Sequence, residues 1–195
     1  MLSVVHLSNN DIIGGAARAA YRIHSCMKNI EDDFSINSSM KVINKYSSDP
    51  TVSRIYRRSF LWKRLQPRIS KLLKRSINTD NQTAHNIAFP NTGLLKELNS
   101  AKQDLSNTII HLHWLGDNTL SIEEIGKLKY PIFWTLHDQW PFCGAEHYTH
   151  PPINKKGIIV NDLRYRNNYS KESRNLSIEK GFDINRWTWE RKKKS

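Results

Sequence analysis

The chain has 195 residues, of which 38% are hydrophobic and 10% aromatic, enough for one domain with a core but too few for two full-sized α/β domains. No apolar run approaches the roughly 18 residues of a membrane span, and we expect no signal peptide. Lys and Arg outnumber Asp and Glu by 30 to 18, a net charge of +12 that favours a polyanionic partner such as nucleic acid, an anionic membrane surface or a phosphorylated substrate. Two widely separated cysteines predict reduced thiols in a cytoplasmic protein.

The first 44 residues predict a strand, a helix and a second strand. Residues Ser3–Leu7 form a short apolar run, and apolar side chains recur at helical spacing from Ala16 to Lys28. Residues Ser35–Ile43 alternate between apolar and polar side chains, as in a strand. A βαβ beginning of this kind favours a parallel sheet with right-handed crossovers.

Residues 54–77 predict a basic amphipathic helical insertion. No acidic residue lies between Asp49 and Asp80, an apolar stripe recurs at steps of three and four, and Pro67 divides the stretch into two helices. Two interpretations stay open: helices packed on the sheet with a solvated charged face, or a cationic surface for an anionic membrane. The candidate membrane-facing residues are Arg57, Arg58, Lys63, Arg64, Arg68 and Lys71.

The second half of the chain continues the alternation of helices and strands. Residues Gly93–Leu105 predict a helix, and Thr108–Trp114 predict a strand. Residues Ser121–Lys129 begin with a Ser-x-x-Glu capping box. The apolar run Pro131–His137 is typical of a central parallel strand covered on both faces. The last residues, from Asp183 onward, predict the start of a helix.

Three loops that follow predicted strands carry candidate site residues. Gly14–Gly15 precedes a helix, whose free N–H groups favour an anion, although taken alone the glycines fit a tight strand-to-helix turn better. His113 ends a second strand, and His137 with Asp138 ends a third. Because ligands of parallel sheets bind outside the carboxyl ends of the strands, the three loops predict one site at one edge.

Two further features have competing explanations. His111 and His113 fall on one face of a strand and, with His137, could ligate zinc in a hydrolase; no HExxH or cysteine partner accompanies them, so we expect no metal. Trp140 and Tyr148 are candidates for stacking on a sugar, or equally for packing within the loop.

Four segments together resemble one family. VVHLSNNDIIGGAARAAYRIH, IIHLHWLG, PIFWTLHDQWPFCGAEHY and GFDINRWTWERKKK resemble, in this order, bacterial glycosyltransferases of family four, of the surface-polysaccharide or colanic-acid type. The resemblance implies a GT-B fold, in which two Rossmann-like domains enclose the active site. It implies that this chain is an α/β domain with a Rossmann-like parallel sheet and helices on both faces, which holds mainly the acceptor.

Carried over residue by residue, the resemblance makes His137 and Asp138 the catalytic residues, with His137 contacting the donor sugar. Gly14 and Gly15 match the glycines near the donor phosphates. The residues expected on the acceptor side are His113, Trp140, Glu146 and His147. CGAEHY departs from the TGGCHY-like sequence of many members, which puts in doubt any structural or metal role of the usual cysteine.

The resemblance also implies that part of the enzyme is missing. We expect residues 1–195 to be a single acceptor-side domain, incomplete at its C-terminus. The donor domain, with its basic pair and Glu-x7-Glu-like segment, is absent, so we expect little catalysis by this chain alone. The expected reaction is retaining sugar transfer from a nucleotide sugar to a glycan or lipid-linked acceptor, without metal or cofactor.

The expected partners and location follow from the same reasoning. A separate donor-domain subunit is a candidate partner, and the expected location is the cytoplasm, with peripheral contact to the inner face of the membrane. The rival functions are a basic α/β nucleic-acid-binding module, for which recognised motifs are lacking, and the histidine-dependent metal hydrolase.

Overall fold

The computed structural model describes residues 1–30, 35–55, 77–78, 94–100, 105–116, 119–147, 164–174 and 180–195. The strands are β1 (Leu2–Asn10), β2 (Ile36–Asn44), β3 (Val52–Arg54), β4 (Ile77–Asn78), β5 (Thr108–Leu112), β6 (Ile132–Trp134) and β7 (Lys180–Gly181). The α-helices are α1 (Gly15–Lys28), α2 (Leu94–Ser100), α3 (Ile122–Gly126) and α4 (Ile184–Lys194). Most of the predicted basic insertion, including its six candidate membrane-facing residues, lies outside the described residues.

Five strands form one parallel sheet in the order β3-β2-β1-β5-β6. Counted within the sheet alone, this order is 3-2-1-4-5, and the predicted α/β class with a Rossmann-like parallel sheet is confirmed. β1 is central: Val5 lies opposite Ser39 of β2 and Ile110 of β5. Residues 4–9 of this strand are all buried, as expected for a strand covered on both faces. β4 and β7 form a separate antiparallel pair.

Helices cover both faces of the sheet, as predicted. On one face, Ala20 of α1 packs with Met40 and Val42 of β2 and Val52 of β3. The other face carries a larger apolar cluster, in which side chains of β1 and β5 pack against α2 and the segment that leads into β6. Its buried members are Val5, Leu7, Ile55, Leu94, Leu98, Ile110, Leu112, Leu115, Leu120 and Tyr130.

Two helices begin where the sequence predicts. Ser121 caps α3: its hydroxyl accepts the Glu124 N–H, and the Glu124 carboxylate accepts the Ser121 N–H, which completes the predicted capping box. The last predicted helix is α4, in which the Asp183 carboxylate accepts the Arg186 N–H. No helix within the described ranges combines the length and apolar character of a membrane span.

The expectation of a central strand over Pro131–His137 is wrong for the described part of the chain. The strand is Ile132–Trp134, and among the described strands it pairs only with β5, at one edge of the sheet. Ile132 is 43% and Phe133 63% exposed. An apolar run records the residues' hydrophobicity but not whether a second strand lies alongside, so the pattern could not distinguish the two positions.

Candidate functional site

An open cleft lies at the carboxyl edge of the sheet, where the strand order reverses. The chain moves outward from β1 through β2 to β3, and then returns to the other side of β1 as β5. Such a reversal leaves a crevice between the loops that follow the two strands. The cleft has a volume of about 520 Å³ and is lined by Asn10, Ile13 and residues 14–17, together with Trp114, His137 and His147.

The two predicted glycines open α1 at this cleft. Gly14 has a φ of 100°, a conformation that favours glycine, and a Cβ at either glycine would meet no atom within 4 Å. Gly14 at the N-cap position has no side chain to cap the helix, and the first turn contains no acidic residue. The backbone N–H groups of this turn therefore face a space in which a negatively charged group would be stabilised.

Asp11, which the sequence reasoning did not single out, fixes the loop before the glycines. Its buried carboxylate accepts backbone N–H groups from Ile12, Tyr46 and Ser47, at 2.8–3.1 Å. Burial alone would raise the pKa of Asp11, but these hydrogen bonds outweigh it and hold the pKa below its usual range. Asp11 thereby ties the loop after β1 to the loop after β2. Its position directly after a strand was the available signal.

Three histidines form a hydrogen-bonded chain from the interior of the sheet to the cleft. His6 Nδ1 lies 3.0 Å from His113 Nε2, and His113 Nδ1 lies 3.3 Å from His137 Nε2. His6 and His113 are almost completely buried, whereas His137 lines the cleft. The predicted site residue His113 therefore stands behind His137, while His6 was missed because strand register is needed to bring it beside His113.

The buried rings of this histidine chain are neutral near pH 7. Burial, reinforced by the neighbouring histidines, lowers the pKa of His6 to about 3 and that of His113 to about 2. Burial also lowers the pKa of His137, which the adjacent Asp138 carboxylate partly opposes. Neutral imidazole has one N–H and one acceptor nitrogen, so each ring can join two partners in a directed chain.

Asp138 and His147 form a second pair at the cleft. Asp138 Oδ2 lies 2.6 Å from His147 Nδ1, and Asp138 Oδ1 accepts the Trp140 N–H at 3.1 Å. The Gln139 N–H donates to the His147 carbonyl at 3.0 Å, which closes the loop on itself. Asp138 does not line the large cleft; it orients His147, which does.

Trp140, predicted on the acceptor side, is packed within the loop. It is 4% exposed and lies in a short 3₁₀ helix, Trp140–Phe142. The Lys192 ammonium of α4 sits 4.0 Å from the centre of its ring. Its ring also borders a small cavity of about 10 Å³ beside His113 and His137. The structure thus favours packing over sugar stacking for Trp140, and Tyr148 lies outside the described residues.

Glu146, also predicted on the acceptor side, belongs to a buried network behind the loop. It is 5% exposed and accepts a hydrogen bond from the Tyr169 hydroxyl, which accepts the Gly144 N–H at 2.7 Å. Burial raises the pKa of Glu146, although its hydrogen bond from Tyr169 opposes the shift. Burial likewise raises the pKa of Tyr169 above its usual value. Glu146 therefore positions the loop rather than lining the large cleft.

α4 completes this support. The Lys192 ammonium donates to the carbonyl oxygens of Trp140, Cys143 and Gly144, the latter two at 2.8 Å. Burial lowers the pKa of Lys192 to about 7, which the Glu146 carboxyl partly opposes. Two neighbouring basic residues are also committed to contacts, since Arg191 pairs with Glu123 at 2.8 Å and Lys193 lies 3.9 Å from Glu190. Several basic side chains at the end of α4 thus make contacts within the protein.

Among the described residues, one cluster of three histidines could hold a metal ion. His6, His111 and His113 offer ring nitrogens that lie within 4.8 Å of one another. This set differs from the trio suggested by the sequence, because His6 takes the place of His137. His111 Nε2 contacts the Thr135 hydroxyl at 2.8 Å, and both nitrogens of His113 contact other histidines.

Comparisons with known proteins identify no relative: no family model matches the chain, and neither the curated proteins nor the solved structures contain a match. What the structure supports of the family resemblance is the α/β fold with its five-stranded parallel sheet.

Proposed function

We propose that the cleft binds a nucleotide sugar and that the chain is the acceptor-side, Rossmann-like part of a GT-B glycosyltransferase. The reaction would transfer the sugar to a glycan or lipid-linked acceptor in surface-polysaccharide synthesis. One observation carries the proposal: a single cleft, at the point where the strand order reverses, is lined by the first turn of α1 together with Trp114, His137 and His147.

The start of α1 fits the diphosphate of such a ligand. Gly15 is the informative residue, because its φ lies outside the left-handed region and a Cβ would meet no protein atom within 4 Å. The fold therefore does not require glycine there. A ligand that approaches the backbone closely does require it, and the uncapped N–H groups of a 14-residue helix would stabilise its negative charge.

The other side of the cleft fits the uncharged part of the ligand. His137 and His147 present imidazole groups to the cleft, and Trp114 contributes an aromatic ring. Imidazole N–H and acceptor nitrogens match sugar hydroxyls, which both donate and accept hydrogen bonds. An apolar ring beside such polar groups is typical of small-molecule sites.

Nuclear magnetic resonance titration of the full 195-residue chain tests the proposal. UDP, GDP, UDP-glucose and GDP-mannose are added separately to ¹⁵N-labelled protein, and amide shifts are followed. We expect at least one of them to bind weakly, with a Kd of roughly 1 mM because one half of a two-domain cleft supplies few contacts. The shifted amides should be those of Gly15 and its neighbours.

Gly15→Val should abolish this binding while leaving the protein folded, because its side chain projects into open space in the cleft. Cys26→Val is the matched control, since it places the same side chain at an exposed position in the last turn of α1. If no nucleotide shifts these amides, or if Gly15→Val binds as the wild type does, the proposal is wrong. Salt-sensitive binding of arbitrary single-stranded DNA without nucleotide binding would instead support the nucleic-acid module.

A further inference from the structure

The histidine chain has two ends in different surroundings. At one end His137 lines the cleft, and at the other His6 is completely buried. His6 Nδ1 contacts His113, but His6 Nε2 has no hydrogen-bond partner among the described residues. The state of this nitrogen decides how protons are distributed along the three linked histidines.

Three neutral rings linked in this way have two arrangements of protons. In the first, His6 Nδ1–H donates to His113 Nε2, and His113 Nδ1–H donates to His137 Nε2, so His137 carries its proton on Nδ1. In the second, every donor and acceptor is reversed, and His6 carries its proton on Nε2. The hydrogen bond at one ring nitrogen thus sets the tautomer of the next ring.

The second arrangement would bury an N–H group without an acceptor at His6 Nε2, which is rare in proteins. The first leaves a lone pair there and places the terminal N–H on His137, the ring that lines the cleft. We propose that His6 and His113 are positioning residues that hold His137 in the Nδ1–H tautomer. If the proposed function is correct, His137 then meets the nucleotide sugar as a hydrogen-bond donor through Nδ1.

The same geometry favours this arrangement over a metal site at His6, His111 and His113. Both nitrogens of His113 contact histidines, and His111 Nε2 contacts Thr135. A metal would need at least one of the two His113 hydrogen bonds to break. The group that the described residues offer also includes no carboxylate to offset the charge of a buried cation.

Long-range ¹H–¹⁵N spectra of the full chain, labelled at histidine and recorded at pH 7.5, report the tautomer of each ring directly. We expect His6, His113 and His137 all to be protonated at Nδ1. In His6→Leu the donor is lost, and His137 should shift to a mixture of both tautomers. In His6→Asn the side-chain amide replaces Nδ1–H as a donor, so the wild-type tautomer of His137 should return.

His24→Gln is the control for replacing a buried histidine, because both ring nitrogens of His24 contact Ser38 and Thr51, and its ring meets His6 only edge-on, at a centroid distance of 5.5 Å. It should leave the His137 tautomer unchanged. Protonation of His137 at Nε2 in the wild type would overturn the proposal, as would retention of a stoichiometric metal by the purified protein. Since the wild-type spectrum decides the tautomer, failure of a variant to fold does not remove the test.

A titration separates this proposal from the proposed function. If a nucleotide sugar binds, His6→Leu should weaken its affinity about tenfold, the effect of one hydrogen bond, and His6→Asn should restore it. If no nucleotide binds while the wild-type spectrum shows Nδ1 protonation, the tautomer assignment stands and the proposed function fails.

Discussion

The rim of the cleft borders open space, whereas the side chains behind it are buried or half-buried and held by hydrogen bonds to neighbouring groups. The rim consists of Gly14, Gly15, His137 and His147. The backing consists of His6 and His113 on one side, and of Glu146, Arg164, Tyr169 and the half-buried Lys192 on the other. Changes in the backing should therefore cost more stability than changes at the rim. Four expected effects, from largest to smallest, test this division.

The largest effect should come from pH. The pKa values of folded His6 and His113, about 3 and about 2, lie below the unfolded value near 6.5. Below pH 6.5 the unfolded state binds more protons, so stability present above that pH is lost as pH falls. As the pH falls, each ring lowers the free energy of unfolding by about 1.4 kcal/mol per pH unit. Between pH 6.5 and 4.5 the two rings together lower it by roughly 5 kcal/mol.

Urea unfolding measured across this range checks the effect. Other groups titrate in the same window, so the decisive quantity is the difference in slope between the wild type and His113→Gln. The free energy of unfolding of the variant should fall less steeply with falling pH, by the contribution of one ring, about 1.4 kcal/mol per pH unit. Equal slopes would mean that the buried histidines do not hold the low pKa values assigned to them.

Arg164→Met should be the next most destabilising change. Arg164 is 4% exposed and donates two hydrogen bonds to Asp183, the residue that caps α4, at 2.8 and 3.1 Å. Removing it leaves a half-buried carboxylate short of its main partner, at a cost of about 3 kcal/mol. Arg166→Met is the control, because Arg166 is exposed in the same 3₁₀ helix. Urea unfolding should separate the two; similar losses would contradict the expectation.

Tyr169→Phe should cost somewhat less. The hydroxyl of Tyr169 donates to Glu146 and accepts the Gly144 N–H, so its removal leaves two buried polar groups unpaired, at about 2 kcal/mol. Tyr165→Phe, in the neighbouring 3₁₀ helix, should change the free energy of unfolding by no more than about 0.5 kcal/mol. A loss for Tyr169→Phe as small as this would show that the network does not support the loop.

The smallest effect should distinguish the two glycines at the rim. Gly14→Ala introduces a side chain at a φ of 100° and should destabilise the protein by about 1 kcal/mol. Gly15→Ala should be neutral or slightly stabilising, because alanine is the better helix former and nothing crowds the site. Thermal unfolding of both variants measures the difference. A larger loss at Gly15 would mean that the fold itself needs this glycine.

Helices α1 and α3 and strand β2 were predictable because their signals are local. Helical spacing located α1 to within one residue, alternation located β2, and the Ser121 capping box fixed the start of α3. The parallel arrangement followed from the βαβ order. β3 was missed, because its three residues carry no periodic pattern.

The division between rim and backing was not predictable. His137 and Glu146 belong to one short stretch of sequence, yet one lines the cleft and the other is buried against Tyr169. The difference is made by residues 20 to 50 positions later in the chain, and a local pattern does not contain such pairings. The role of His6 likewise depends on the register that places it opposite His111.

The amino-acid sequence by itself determined the parallel α/β architecture, the glycines at the start of α1 and the histidines at the strand ends, because periodicity and turn chemistry act over a few residues. Only the tertiary structure decided which of these groups meet. It aligned β1 with β5, joined His6, His113 and His137 by hydrogen bonds, and packed Trp140 against Lys192 of α4 and Glu146 against Tyr169. Hydrogen bonds and burial between distant segments have no local signature in the sequence, and they define this cleft.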